Sequence, residues 1–285
     1  FREVAIQLID EALQEKTLDF VDKVSAELPL IAIAELVGIP VEDRRKVFDW
    51  SNTMIGTTDP DFAGAPEDAQ IAAAELYMYS NEIAAQRKLE PKDDIITTLI
   101  SEHDGDVLTE HEFDLFMLLL AVAGNETTRN GISHGVLAMI ENPDQWNLLK
   151  NDPSLVTTAV EEILRWGTPV NNFRRTAVCD VELHGVQIKE GEAVAMLYPS
   201  ANRDDSVFKD PFKFDITRNP NPHVTFGGGG PHFCLGANLA RLEMRILFEE
   251  MSKRIDRIEL TGEVRKLRSS FIHGIKTLPV HLQAR

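Results

Sequence analysis

One uninterrupted helical pattern, residues 109–141, constrains the fold of this chain more than any other feature. Thr109 and Glu112 have the spacing of a capping box, in which side chains satisfy the free backbone donors of a helix start. The pattern ends at Asn142-Pro143, because the residue before a proline disfavours helix. A helix of this length extends roughly 48 Å at ~1.5 Å per residue. We therefore expect it to cross the whole molecule.

Helical patterns also fill most of the sequence before this helix. Apolar residues recur at helical spacing over residues 1–16, 19–37, 42–55, 67–88 and 93–102. Loops are expected at 56–66 and at 103–106, where Gly, Pro and Asp are frequent. Because the first pattern starts at Phe1 without a cap, we expect the natural start of the protein to lie before it.

In the second half of the chain the spacing of apolar residues changes from helical to alternating. A helix is predicted over residues 153–166, and residues 176–198 then alternate as short antiparallel strands that turn at His184-Gly185 and include Cys179. Residues 199–230 are irregular, residues 235–254 form a last helix, and the tail adds short strands. The predicted class is α+β, mainly α.

Composition excludes several classes of protein. The 29 Lys and Arg against 46 Asp and Glu leave a formal net charge of −17, which disfavours nucleic-acid binding. The longest apolar run, residues 113–123, contains Asp114 and is shorter than the ~18 residues of a membrane span. Two cysteines are too few for a disulfide framework. We expect a cytoplasmic protein with an apolar or uncharged ligand and no nucleic-acid partner.

A glycine-rich loop, residues 226–236, brings Cys234 to the start of the last helix. It lacks the Gly-Lys-Ser/Thr ending of a phosphate loop and the GxGxxG spacing of a dinucleotide site. Helix-start N–H groups favour a thiolate, and the glycines allow a large flat ligand to approach. A structural thiol, a nucleophile paired with His232, and a zinc site with His223 and His232 remain alternatives. A haem-iron thiolate ligand accounts for the glycines, Phe226 and His232 together.

The middle of the long helix, residues 123–128, carries an acid and two threonines in an apolar run. Because residues 116–122 are all apolar, we expect the helix to be buried on most sides. Thr127 can donate a hydrogen bond to the carbonyl of Ala123. In one alternative this bond only satisfies the Thr127 hydroxyl, and Glu126 reaches solvent. In the other the helix opens beside a ligand, and the two side chains relay protons.

Glu162 and Arg165 are three residues apart and share a helix face. Taken alone, such a pair is usually a solvated ion pair. Its position between the long helix and the Cys234 loop makes it informative.

In their order along the chain, the motif at 123–128, the Glu162 and Arg165 pair and the Cys234 loop resemble the cytochrome P450 family of haem-thiolate monooxygenases. The resemblance extends to the soluble bacterial sterol and methyl-branched-lipid hydroxylases over residues 123–130, 219–223, 226–241 and 271–276. Two departures are an extra residue between Phe226 and Cys234, and Glu126 where many members carry Asp. The resemblance implies that residues 1–285 form one catalytic domain of the P450 fold, lacking its N-terminal portion.

The same resemblance implies haem b as cofactor, with Cys234 as the iron ligand. His232 and Arg175 would bind the haem propionates, with Arg174 as the alternative to Arg175. Glu126 and Thr127 would be catalytic. The remaining implied residues are further cofactor contacts (Gly124, Phe226, Gly236), the structural pair Glu162 and Arg165 with Arg218, a loop hydrogen bond from His223, and pocket walls (Val122, Ala123, Val170, Phe173, Ile275).

The implied reaction is hydroxylation of an apolar substrate, namely a sterol side chain, a branched fatty chain or a terpenoid. It would use O₂ and two electrons from a ferredoxin or flavodoxin and its reductase, in a bacterial cytoplasm. Arg241 and Arg245 would supply positive charge for docking that partner. The alternatives are a haem-binding module without turnover, such as a gas sensor or truncated remnant, and a metal-free helical binding protein.

Overall fold

The computed structural model describes residues 1–62, 64–65, 67–102 and 105–285, and is organised around the predicted long helix, α6 (Glu110–Glu141). The capping box is confirmed: the Thr109 side chain accepts the backbone N–H of Glu112, and the Glu112 carboxylate accepts the backbone N–H of Thr109 at 2.9 Å. The helix is 32 residues long. At ~1.5 Å per residue it is about 48 Å long, and two hydrophobic clusters pack along it.

The other predicted helices are also confirmed. They are α1 (Arg2–Ala12), α2 (Glu27–Val37), α3 (Arg44–Ile55), α4 (Asp68–Leu89), α5 (Ile95–Ile100), α8 (Val156–Gly167) and α10 (Ala237–Arg254). Their ends differ from the prediction by up to four residues, except that α2 begins eight residues later than predicted. Two further helices, α7 (Pro143–Asn151) and α9 (Tyr198–Ala201), were not predicted. A π-helical turn, Val21–Ser25, precedes α2, and 3-10 turns precede α3 and α8. In the predicted turn at 103–106, His103 and Asp104 lie outside the described residues.

The strands form small antiparallel sheets. They are β1 (Leu18–Asp19), β2 (Asn172–Thr176), β3 (Val181–Leu183), β4 (Val186–Ile188), β5 (Ala193–Leu197), β6 (Ile255–Leu260), β7 (Arg265–Lys266), β8 (Ile275–Thr277) and β9 (Pro279–Ala284). Their pairings are β1-β9-β6, β2-β5, β3-β4 and β7-β8. The His184-Gly185 turn joins β3 to β4 as predicted. The strand position of Cys179 is wrong, because the β2–β5 ladder ends at Thr176 and β3 begins at Val181.

Two hydrophobic clusters lie along α6. Helices α1, α8 and α10 pack with β6 and β9 on its C-terminal half, while α2, α3, α4 and α5 pack on its N-terminal half. Gly135 permits the closest approach, because a Cβ there would lie 2.6 Å from Phe248 and 2.7 Å from Ile163. In the parts of the chain that the structure describes, no helix is both long and apolar enough to span a membrane.

One side of α6 is open, although Leu119 is the one exposed residue of the apolar run 116–122, whose other members are buried or half-buried as expected. Leu115 and Leu119 are 47% and 56% exposed, and Ala123, one further turn along the same side, is also exposed. Helices α2, α3 and α4 contact α6, and its buried residues Phe113, Met117 and Ala121 pack in the same cluster as theirs. The motif at 123–128 therefore lies where the open apolar side meets the core.

Candidate functional site

Thr127 makes the predicted local bond. Its hydroxyl donates to the Ala123 carbonyl at 2.7 Å, and the side chain is half-buried. Helix α6 is α-helical throughout, so the structure shows no local opening at this motif. Packing favours a glycine at position 124: a Cβ there would lie 2.9 Å from the terminal methyl of Ile33 in α2, so the Ile33 side chain would have to shift.

Glu126 does not reach solvent, because it is 1% exposed and faces α3. It forms a buried ion pair with Arg129, whose guanidinium also donates to Asn52 at 3.0 Å, and it accepts a 3.5 Å hydrogen bond from Ser51. Burial raises the pKa of the Glu126 carboxyl, and the opposing effects of Arg129 and Ser51 do not cancel this rise.

Sequence reasoning missed the α3 partners of Glu126 and its pairing with Arg129. The spacing of Glu126 and Arg129, three residues apart on one helix, was a visible signal for the pair. Ser51 and Asn52 carried no such signal, because 75 or more residues separate them from their partners. No hydrogen bond joins Glu126 to Thr127 among the described residues, and the two side chains point to different sides of α6.

The loop before α10 presents Cys234 at the surface. The Cys234 N–H donates to the Phe226 carbonyl at 3.0 Å, so the two ends of the loop are tied together. The φ angles of Gly227, Gly229 and Gly230 are +94°, +104° and +79°, a region that favours glycine.

The surroundings of the Cys234 sulfur within the chain act in both directions on the pKa of its thiol. Although the residue is exposed, neighbouring loop atoms partly desolvate its sulfur, and this burial raises the pKa of the thiol. The N–H of Gly236 and the charge of Arg241 lower that pKa by less.

Glu162 and Arg165 are not a solvated pair, since neither side chain has any exposure. Arg165 donates two 2.8 Å bonds to the Glu162 carboxylate, and its remaining N–H groups reach the carbonyls of Asn202, Pro211 and Lys213. Arg218 donates a further bond to Glu162 at 3.1 Å, in the place expected for a third member. The network ties α8 to the irregular segment that leads to the Cys234 loop.

The cations expected to hold propionates lie at the surface. Arg175 is exposed on β2 and donates to the backbone carbonyl of Arg174 at 3.0 Å, while Arg174 and His232 are also exposed. His223 forms the expected loop bond, donating from Nε2 to Glu161 at 2.9 Å while Nδ1 accepts the N–H of Thr225.

The docking role of Arg241 is corrected, because its guanidinium is already paired with Glu161 at 2.7 and 2.9 Å. Arg245, one turn further along α10, is exposed. Of the two cations proposed for docking, Arg245 is the more exposed, while Arg241 is half-buried.

The predicted pocket walls divide into exposed and buried residues. Ala123 and Phe173 are exposed, Val122 is half-buried, and Phe173 makes an edge-to-face contact with Phe271. Val170 pairs with Ile272 and is 9% exposed. Ile275 is corrected from pocket wall to core: it is 1% exposed and packs in the main cluster.

Two surface grooves, of about 450 and 670 Å³, lie near the two ends of α6 and include none of these residues. The candidate-site residues that reach the surface are Ala123 and the half-buried Thr127 on α6, Phe173 on β2 and the Cys234 loop.

Comparison with known proteins decides the family. The sequence profile described as Cytochrome P450 matches residues 33–257. The chain belongs to the cytochrome P450 family. A steroid C26-monooxygenase of Rhodococcus jostii is 52% identical over 279 residues, which are 98% of this chain and 58% of the relative. A methyl-branched lipid omega-hydroxylase of Mycobacterium tuberculosis is 46% identical over 268 residues, 93% of this chain and 63% of the relative.

A solved cytochrome P450 of Mycobacterium marinum, in complex with pseudoionone, shares the fold. Its TM-score is 0.94 at 39% identity, and the match covers 98% of this chain and 69% of that chain. The predicted class and fold are thereby confirmed. The chain spans about three fifths of the length of the curated relatives it matches.

Family membership and the fold imply haem b with a cysteine thiolate ligand. The residues at Cys234 fit such a group. At Gly236 the φ is −82° and a Cβ would meet nothing within 4 Å, so neither backbone strain nor a neighbour in the chain explains the glycine. Phe233 and Leu235 on either side are 48% and 82% exposed. A flat apolar ring system against this loop accounts for all three.

Proposed function

We propose that the whole protein is a haem-thiolate monooxygenase that hydroxylates an apolar substrate. One observation carries the proposal: the open apolar side of α6 ends at Ala123 and Thr127, next to a buried carboxyl, in a chain whose cysteine loop suits a flat ring system. The bound haem would supply the activation of O₂. The chain's own residues hold the cofactor, exclude water and move protons.

Cys234 would ligate the iron, and the bond between its N–H and the Phe226 carbonyl would hold the sulfur in place. Phe226 and Gly236 would line the same face of the ring system. His232 and Arg175 would bind the propionates, because both are exposed cations or potential cations on the open surface. The filled space beside Gly124 supports a packing role for that glycine rather than a cofactor contact.

Glu126 and Thr127 would deliver protons. The raised pKa of Glu126 suits a carboxyl that holds a proton and gives it up. The Thr127 hydroxyl donates to Ala123, so the lone pairs of its oxygen are available to accept a proton from the buried side. Glu126 must turn away from Arg129 to reach it, because the two side chains share no hydrogen bond among the described residues.

The relatives support a substrate with an alkyl chain. One is named a steroid C26-monooxygenase and another a methyl-branched lipid omega-hydroxylase, which favours a sterol side chain or branched fatty chain over a terpenoid. Exposed Ala123 and Phe173 would contact it, with Val122 beside them and Val170 behind Phe173.

The test is spectral titration of the haem-loaded whole protein with three compounds: a sterol with its full side chain, the same nucleus without the side chain, and a methyl-branched fatty acid. We expect a shift of the Soret band and a hydroxylated product for the first or third compound only. Equal binding of the two sterols would contradict recognition of the alkyl chain.

We also propose that residues 1–285 belong to one catalytic domain, that the protein works in a bacterial cytoplasm, and that a ferredoxin or flavodoxin with its reductase supplies the electrons. Reconstitution with each carrier tests the last point. A haem spectrum without product under any carrier would favour the alternative, a haem-binding module without turnover.

A further inference from the structure

Four residues from distant parts of the chain meet behind the Cys234 loop, and we call them the Glu161 cluster: Glu161, His223, Phe226 and Arg241. Arg241 of α10 donates Nε to Oε1 of Glu161 at 2.7 Å and Nη2 to Oε2 at 2.9 Å. His223 donates to Oε2 at 2.9 Å. The Glu161 carboxylate of α8 therefore joins α10 to the segment before the loop.

Arg241 also lies on the loop itself. Its guanidinium carbon is 4.4 Å from the centroid of the Phe226 ring, close enough for a cation–π contact. Phe226 in turn accepts the Cys234 N–H through its carbonyl at 3.0 Å. A continuous path of contacts thus runs from Glu161 through Arg241 and Phe226 to the backbone of Cys234.

The cluster has the properties of a fixed charge pair. The His223 side chain is 2% exposed, and those of Glu161 and Arg241 are 26% and 34% exposed. Burial acts to raise the pKa of Glu161, but the bonds from His223 and Arg241 outweigh it and lower the pKa to about 2. Glu161 is thus a permanent anion, and Arg241, a permanent cation, is balanced by it.

We propose that Arg241 is a positioning residue for the thiolate ligand: it fixes Phe226 and the loop backbone, and its charge, balanced by Glu161, sets the electrostatic potential at the Cys234 sulfur. The proposal rests on the proposed function in one respect, that Cys234 ligates haem iron. The two hydrogen bonds to Glu161 fix the orientation of the Arg241 guanidinium. The guanidinium in turn fixes the position of the Phe226 ring that it contacts.

The charge balance predicts shifts of opposite sign. Reduction of the iron adds an electron near the sulfur, so a nearby cation favours it and a nearby anion disfavours it. Arg241→Gln leaves Glu161 without its main counter-charge and should lower the midpoint potential of the haem iron. Glu161→Gln leaves Arg241 unbalanced and should raise it.

Arg241→Lys separates charge from geometry. Lysine keeps the positive charge but loses the second hydrogen bond and the planar contact with Phe226. We expect a midpoint potential close to wild type. The thiolate Soret band of the reduced CO complex should decay about tenfold faster, since a hydrogen bond to a charged group is worth about that factor.

The measurements are spectroelectrochemical titration and the decay of the CO complex, both on the haem-loaded whole protein. Arg245→Gln is the matched control, because Arg245 lies one turn further along α10 and is exposed. It should move neither quantity.

Two results would overturn the inference: shifts of the same sign in Arg241→Gln and Glu161→Gln, or an Arg245→Gln shift as large as that of Arg241→Gln. If Arg241→Gln does not fold, an unchanged potential in Glu161→Gln or a stable CO complex in Arg241→Lys overturns it equally. Absence of the thiolate spectrum in the wild type would instead refute the proposed function.

Discussion

The substitution Glu162→Gln tests the buried network around Arg165 in the whole protein. Glutamine keeps the size of the side chain and one carbonyl oxygen, but it removes the charge opposite Arg165. Both side chains have no exposure, so water cannot replace the lost charge. The bonds that Glu162 accepts from Arg218, from Asn221 and from the backbone N–H of Asp215 lose a charged acceptor at the same time.

The expected cost is large. Removing one partner of a buried ion pair costs about 3–5 kcal/mol, against a total free energy of unfolding of about 5–15 kcal/mol for a typical domain. With a urea m-value of about 3 kcal/mol/M, the unfolding midpoint should fall by about 1–1.7 M. Because the network holds the segment that leads to the Cys234 loop, the yield of haem-loaded protein should fall as well.

The assay is urea unfolding followed by tryptophan fluorescence, since Trp166 contacts the Arg165 guanidinium. The control is Asp180→Asn, which breaks an ion pair with Lys189 whose side chains are 63% and 56% exposed and should leave the midpoint unchanged. A Glu162→Gln midpoint no lower than that of Asp180→Asn would refute the reasoning.

Three further predictions use other parts of the site. Cys234→Ser should abolish the thiolate spectrum of the reduced CO complex, whereas Cys179→Ser, in an exposed bend, should leave it unchanged; a thiolate spectrum in the first variant contradicts the ligand assignment. Thr127→Ala should keep substrate binding but form less product and more hydrogen peroxide per NAD(P)H oxidised, while Thr128→Ala, on the buried side of α6, should keep normal coupling; equal coupling in both would mean that protons take another route. Burial lowers the pKa of His134 to about 3, from an ordinary value of 6.5. Between these pH values the unfolded chain therefore binds more protons than the folded one. As the pH drops below about 6.5, His134 thus lowers the free energy of unfolding, by at most about 1.4 kcal/mol per pH unit. His134→Gln should reduce that slope in urea unfolding at pH 5 and 7, and an unchanged slope would contradict the burial argument.

Features that depend on a few neighbouring residues were predictable from the sequence. The Thr109 cap, the end of α6 before Pro143, the His184-Gly185 hairpin and the bond from Thr127 to Ala123 each involve residues no more than four positions apart. Local sterics and hydrogen bonding decide such features whatever the rest of the chain does. The order of three motifs was likewise enough to indicate the family, which the profile match then confirmed.

Which side chains are buried, and which way they point, depended on the tertiary structure. The sequence left open whether Glu126 reaches solvent; it lies against α3 because Ser51 and Asn52, far away in sequence, pack there. Ile275 was expected in a pocket wall but lies in the core.

By itself, the sequence determined most of the helices and the residues that we propose for the chemistry, because these depend on local period, caps and residue type. Only the tertiary structure decided what each charged group faces. Arg241 illustrates the physical reason: a cation at the surface of an isolated helix becomes half of an ion pair when Glu161, 80 positions earlier, packs against it. Whether a charge is free for a partner or neutralised within the fold is a property of that packing, and the sequence of α10 alone does not contain it.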